Sequence, residues 1–158
     1  MPTVAPTSSG DPRTYAIIGA ALDAFHELGP GFLESAYVDA LVVEFGARAV
    51  PWQREVPSPI HYKNGVLPTR YRIDLLCYGQ VIVEVKAASD IHPAHRAQIL
   101  HYLRATGVAT GLLINFGGPR LEWERFVETR QQSRWEAAMV AGLPPSGEKI
   151  EFPSPPAP

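Results

Sequence analysis

The stretch RYRIDLLCYGQVIVEVKA, residues 70–87, decides the fold. Two apolar segments of period two flank a glycine, which predicts two strands joined by a tight connection. Alternation puts Tyr71, Ile73, Leu75 and Cys77 on one face of the first strand and Arg72, Asp74 and Leu76 on the other. In the second, Val81, Val83 and Val85 share a face, leaving Ile82, Glu84 and Lys86 opposite. Parity then decides whether the two acids meet. A two-residue turn would set Asp74 against Val83, whereas a connection of Tyr78, Gly79 and Gln80 sets Asp74 against Glu84, with Cβ atoms about 5 Å apart. Two carboxylates that close repel unless a cation separates them, so a divalent metal with hard oxygen ligands is the natural occupant. Lys86 follows one strand step on, roughly 7 Å along. An ammonium there can orient or deprotonate a water, or offset charge building on a phosphate.

Working outward, proline-punctuated segments near VPWQREV and PIHYK read as strands that precede this pair. HPAHRAQILHYLRATG has helical spacing through Ile99, Leu100 and Leu103, ATGLLINFG reads as a buried strand bounded by glycines, and LEWERFV alternates as a last strand. Upstream, Asp11 before Pro12 is an N-cap with proline at the first helical position. Ile18, Ala21, Leu22, Phe25 and Leu28 form the predicted inward stripe, and Gly29 and Pro30 end the helix. A second helix runs from near Phe32 to Phe45, with Gly46 as its stop. Glu34 lies in line with Val38, Leu41 and Phe45, which predicts a carboxylate on a buried stripe. Such a group must be protonated, paired with a cation, or bound to a metal. The order of elements gives an α/β domain with a central mixed sheet flanked by helices. It spans residues 12–141, between a flexible N-terminal tail, 1–11, and a Pro-rich C-terminal tail, 142–158.

The chain of 158 residues, 46% hydrophobic, is large enough for one core without disulfides or structural metal. Cys77 has no partner for an internal disulfide, so a reducing compartment, the cytoplasm, is the expectation. No apolar run approaches the roughly 20 residues of a membrane span, and MPTVAPTSSGDP lacks the blocks of a signal peptide. A net charge of −2 excludes broad electrostatic adhesion to nucleic acid but leaves room for a local basic patch, since Arg48, Arg54, Arg70, Arg72, Lys86, Arg96 and Arg104 fall mid-chain. His92 and His95 are spaced as a zinc pair would be, yet lack a third ligand, and read as solvated or substrate-facing side chains. Trp52, Tyr71 and Trp123 read as core or cross-strand partners, and Cys77 as a buried apolar residue.

Asp74, then Glu84-Val85-Lys86, then Gln98-x-x-x-Tyr102 on the following helix resemble the PD-(D/E)xK nuclease superfamily, in its branch of RecB-type and lambda-type exonucleases. Gly31-x-x-Glu34-x-x-Tyr37 is similar to the signature of the GxxExxY proteins, a family assigned to that superfamily. LGPGFLESAY, RIDLL, VIVEVKA, AQILHYL and GLLINFG follow its pattern in order, over residues 14 to about 127. The resemblance implies a restriction-endonuclease-like PD-(D/E)xK core with Mg²⁺ or Mn²⁺ held by Glu34, Asp74, Glu84 and the main-chain carbonyl of Val85. Lys86 takes the catalytic lysine position. Gln98 and Tyr102, on one helix face, would orient the lysine or contact the substrate backbone, and Tyr37 would pack near Glu34 with its hydroxyl available to a carboxylate or phosphate. The implied activity is phosphodiester hydrolysis, in DNA rather than RNA. The slightly acidic charge, with no attached DNA-binding domain, leads to the expectation of a protein partner or homo-oligomer that delivers substrate. A second reading keeps the scaffold without turnover, as a non-catalytic nucleic-acid-binding or protein-interaction module engaged through the Pro-rich tail. The intact Glu, Asp, Glu, Lys set weighs against it, because carboxylates clustered without a metal destabilise a fold.

Overall fold

Asp11 starts the first helix, its carboxylate accepting a hydrogen bond from the Arg13 amide at 2.9 Å, and α1 runs Pro12–Leu28. In the computed structural model residues 10–128 are described. Most of the expected N-terminal tail, the end of the expected domain and the whole Pro-rich tail lie outside the described residues. Gly29 closes α1 with φ of 66°, its N–H reaching the Phe25 carbonyl at 2.8 Å, as its sequence position predicted. The inward face is displaced from the expected stripe. Ile17, Ala20, Ala21 and Ala24 are buried, while Ile18, Leu22, Phe25 and Leu28 flank them half-buried. An alanine seam lets the helix approach closely, and the larger residues then wrap its sides.

Helix α2 spans Glu34–Ala47 and buries Tyr37, Val38, Leu41 and Phe45. It passes through Gly46, the expected stop, and the left-handed turn falls at Ala49 (φ 54°). Five strands follow: β1 Trp52–Tyr62, β2 Gly65–Cys77, β3 Val81–Lys86, then α3 Pro93–Thr106, β4 Thr110–Asn115 and β5 Glu122–Val127. They lie in sequence order in one sheet. All neighbours are antiparallel except β3 and β4, which α3 joins as a parallel crossover. The two segments expected before residue 70 are one edge strand, β1, which carries Pro57 and Pro59 and shifts register between Pro59 and His61. Proline is tolerated there because an edge strand has a side that needs no N–H.

The sheet has a helix layer on each face. Leu75, Cys77, Val81, Val83, Val85, Leu112 and Ile114 pack with α1 and α2, while Val56, Ile73, Leu76, Ile82 and Leu113 pack with Ile99, Tyr102 and Leu103 of α3. This is the expected α/β domain with a central mixed sheet flanked by helices. One detail of β2 departs from simple alternation. Ile73 and Leu76 share the α3 side, so the strand changes face between them, and Asp74 sits at the change. Across from it the β1 register passes from Arg54↔Leu75 to Val56↔Ile73, and Glu55 between them takes φ of 55°. A non-glycine residue in that region re-aims the strand, which explains why period-two reading fails at Asp74.

Candidate active site

The β2–β3 connection is Tyr78-Gly79-Gln80, with Tyr78 and Gly79 at positive φ and the Gln80 amide donating to the Cys77 carbonyl at 3.0 Å. Pairs Cys77↔Val81, Leu76↔Ile82 and Leu75↔Val83 follow. One further step of this register faces Asp74 with Glu84, the parity expected for a three-residue connection. At that step the ladder stops and a side chain takes over. Asp74 Oδ2 accepts the Val85 N–H at 2.8 Å. The two strands thus part as a fork whose arms carry the two acids.

Glu84 is 3% exposed, and its Oε2 has no hydrogen-bond partner among the described residues. An orphaned carboxylate oxygen in a core is costly, so a further partner there would be stabilising. Lys86 Nζ stands 3.9 Å from Glu84 Oε1, with its side chain 13% exposed. Burial holds the Glu84 carboxyl well above the usual carboxylate range; the Asp74 charge and a hydrogen bond with the Asp74 side chain push the same way, Lys86 opposes them, and Glu34 adds a smaller push.

Glu34 corrects the sequence reading. It is exposed, not buried: α2 begins at this residue, and the buried stripe starts at Tyr37 and Val38. The position still serves the site. Glu34 and Asp74 line one cavity of about 600 Å³, with Phe32, Leu33, Arg54 and Glu55 around them. Arg54 is held by Asp39 at 2.5 Å.

Tyr37 is a second correction. Its hydroxyl donates to the Gly29 carbonyl at 2.6 Å and accepts from the Phe32 amide at 3.2 Å, and its ring stacks on Phe116 with centroids 4.5 Å apart. The hydroxyl is thus occupied in tying the Gly29–Phe32 loop that delivers Glu34. Gln98 Nε2 donates to the Tyr102 hydroxyl at 2.8 Å, and Tyr102 is buried. Burial, then the charges of Glu84 and Asp74, push the Tyr102 phenol upward, so it keeps its proton and can donate.

His95 joins this face and was not singled out from sequence as a site residue. It precedes Gln98 by three and Tyr102 by seven, a shared helix face, and that spacing was the available signal. Its Nδ1 accepts the His92 N–H at 3.1 Å, while His92 Nδ1 accepts from Ala94 at 3.1 Å, a reciprocal cap on α3. The cap explains the histidine pair without zinc. With Nδ1 an acceptor, the neutral His95 ring carries its proton on Nε2. Burial and the nearby Lys86 hold its pKa below the ordinary histidine value.

A buried orphan oxygen, an adjacent carboxylate and a third acid at the cavity make an all-oxygen donor set that suits Mg²⁺ or Mn²⁺. Among the described residues no three His, Cys, Asp or Glu side chains already converge at metal-binding spacing.

A family model described as PD-(D/E)XK nuclease superfamily matches residues 11–126. Among solved structures, the crystal structure of SSO0001 is similar at 18% identity and a TM-score of 0.45, over 82% of this chain. The chain spans 65% of that structure's length. No curated protein matches. Among the described residues no helix is long and apolar enough to cross a membrane.

Proposed function

Because the chain belongs to the PD-(D/E)XK nuclease superfamily, we propose that it is a metal-dependent nuclease that hydrolyses phosphodiester bonds, in DNA, as a member of the GxxExxY group. The observation that carries this reading is the buried Glu84 oxygen without a hydrogen-bond partner, beside Asp74 and 3.9 Å from the Lys86 ammonium. Glu34, Asp74, Glu84 and the Val85 carbonyl would hold Mg²⁺ or Mn²⁺. Such an ion supplies Lewis acidity toward a phosphoryl oxygen and lowers the pKa of water.

The chain's own groups do the rest. Asp74, fixed through one oxygen by the Val85 amide, keeps the other for the ion. Lys86 aims an ammonium into the fork, where it orients the attacking water and offsets charge on the phosphate. Tyr102 and Gln98 hold one another, and the phenol, kept protonated by its surroundings, donates toward the carboxylates or the substrate backbone. His95 presents Nε2–H beside Lys86. Within the proposed domain, 12–141, every one of these groups but Glu34 comes from β2, β3 or α3.

Titration of the metal-free protein with Mg²⁺ and Mn²⁺, followed by calorimetry and by cleavage of labelled single- and double-stranded DNA, tests the proposal. Saturable binding and metal-dependent cleavage in the native chain, both lost in Asp74→Ala with its fold intact, are the expected results. Cleavage unchanged in Asp74→Ala would remove the site assignment. Binding of nucleic acid with no turnover under either metal would leave the non-catalytic module instead.

A further inference from the structure

Strand β2 pairs with β3 over Leu75–Cys77 only, so its first ten residues, Gly65–Asp74, have no neighbour on that side. Its one strand partner there is β1, which forms the edge of the sheet. Val56, Ile73 and Tyr71 pack on α3 and Ser58 and Pro59 are buried, so the strands are a free two-stranded ribbon only beyond that point. From Arg70 to its tip at Gly65 the free part extends five residues, about 17 Å at roughly 3.3 Å per residue. Near its base Tyr71 packs edge-on against Tyr102 of α3, with centroids 5.1 Å apart, which anchors the ribbon to α3.

Its charge is one-signed. Residues 56–73 contain no aspartate or glutamate, in a chain that otherwise has more acids than bases, and they carry Lys63, Arg70 and Arg72, all exposed. Among the described residues Lys63 and Arg70 make no ion pair, and Arg72 has only a loose one with Glu55 at 3.9 Å. Lys63 lies over the exposed Tyr62 ring at the tip, 5.4 Å from its centroid. Cations left unpaired on a projecting element are a footprint for a polyanion, and the major groove of a nucleic-acid duplex, about 12 Å wide, admits a two-stranded β-ribbon.

We propose that the β1–β2 ribbon is a duplex-binding arm: it lies in the groove of double-stranded DNA through Lys63, Arg70 and Arg72 and leads a phosphodiester to Asp74 at its base. The inference rests on the nuclease reading for the last clause only; the binding surface stands on the ribbon's own charge and shape. The arm supplies locally what a net charge of −2 withholds globally.

Fluorescence anisotropy of a labelled DNA duplex and of one of its strands, across a salt series with chelator present, tests it on the full chain and on Lys63→Ala/Arg70→Ala/Arg72→Ala. The native chain binds the duplex more tightly than the single strand. The triple variant, with an unchanged melting temperature, loses at least about tenfold in duplex affinity, and its log affinity against log salt flattens by about 2 to 3, near 0.9 for each phosphate-neutralising cation. The charge-retaining Arg70→Lys/Arg72→Lys keeps the native slope. Equal affinity for duplex and single strand, or a triple variant with native slope and affinity, overturns the arm. Mg²⁺- and Mn²⁺-dependent cleavage is read on the same samples. Duplex binding lost in the triple variant but no cleavage by the native chain sinks the nuclease reading and leaves the arm standing; cleavage with unaltered binding in the variant does the reverse.

Discussion

The Asp74 carboxylate reaches across the parting strands to the Val85 amide, Oδ2 to N at 2.8 Å. This bond does for the fork what a ladder pair would have done, and it fixes which oxygen faces the cavity. Asp74→Ala is expected to lower metal-dependent cleavage by at least about 100-fold. Lys86→Ala is expected to do so as well, and it leaves metal binding in place because an ammonium is not a ligand. Calorimetry beside a cleavage assay separates the two: metal binding lost in Lys86→Ala would mean the lysine shapes the site and does not act on substrate.

Glu84 ties stability to pH. In the unfolded chain a glutamate titrates near about 4.3, and in the fold burial and Asp74 raise it well above that. Between the two values the fold holds a proton that the unfolded chain has lost. Its contribution is thus most favourable below about pH 4 and declines as pH rises through the window up to the folded pKa. Glu84→Gln keeps the shape without the charge and is expected to raise the metal-free melting temperature at pH 8 by a few degrees, about 1 kcal/mol, while flattening its pH dependence. Mg²⁺ must displace that proton, so affinity for the native chain rises with pH. Thermal melts at pH 5 to 9, with and without Mg²⁺, check both signs, and a native melting profile that climbs with pH in the metal-free state would contradict the assignment.

Gly117 is where the backbone beyond β4 presses on the segment that follows Lys86. A Cβ at Gly117 would lie 2.3 Å from the Ala88 carbonyl oxygen and 2.4 Å from its nitrogen, and neither can yield as a flexible side chain would. Asn115, fully buried, clips the same place, accepting from Ala88 N at 3.0 Å and donating to Ala88 O at 2.9 Å. Gly117→Ala is expected to cost about 1–3 kcal/mol and to lower cleavage through displaced Lys86. Urea unfolding gives the first number; an unchanged midpoint would show that the two segments separate freely.

Tyr37→Phe removes one donor and one acceptor from the loop before Glu34. The expected loss is about 1–2 kcal/mol in stability with only a few-fold change in kcat, read by urea unfolding and cleavage rates. A 100-fold fall in kcat at unchanged stability would instead put the hydroxyl on the substrate.

Much of this arrangement was legible in residues 70–87. The three-residue connection around Gly79 fixes the register of the β2–β3 pairs up to Leu75↔Val83, which leaves Asp74 and Glu84 next in line. What could not be read was local geometry set by distant partners. Glu55 at positive φ gives no signal in sequence, since glutamate is not a residue chosen for that region, yet it flips β2 between Ile73 and Leu76. Glu34 fits a buried stripe by spacing, but it is the first residue of α2 and burial along the helix begins only at Tyr37. The Tyr37 hydroxyl went to backbone, donating to the Gly29 carbonyl and accepting from the Phe32 amide, which sequence spacing does not reveal. His95 was hidden by the cap it makes with His92.

The prolines of the ribbon, Pro57 and Pro59 on β1 and Pro68 on β2, bear on whether its strand edges can pair with those of another copy. A long exposed strand edge is a template on which another copy can add its own strand. Each proline deletes a donor from that edge, and the lysine and arginines add like-charge repulsion between copies. Self-assembly of the kind that ends in fibres is thereby blocked along the very element that reaches farthest into solvent.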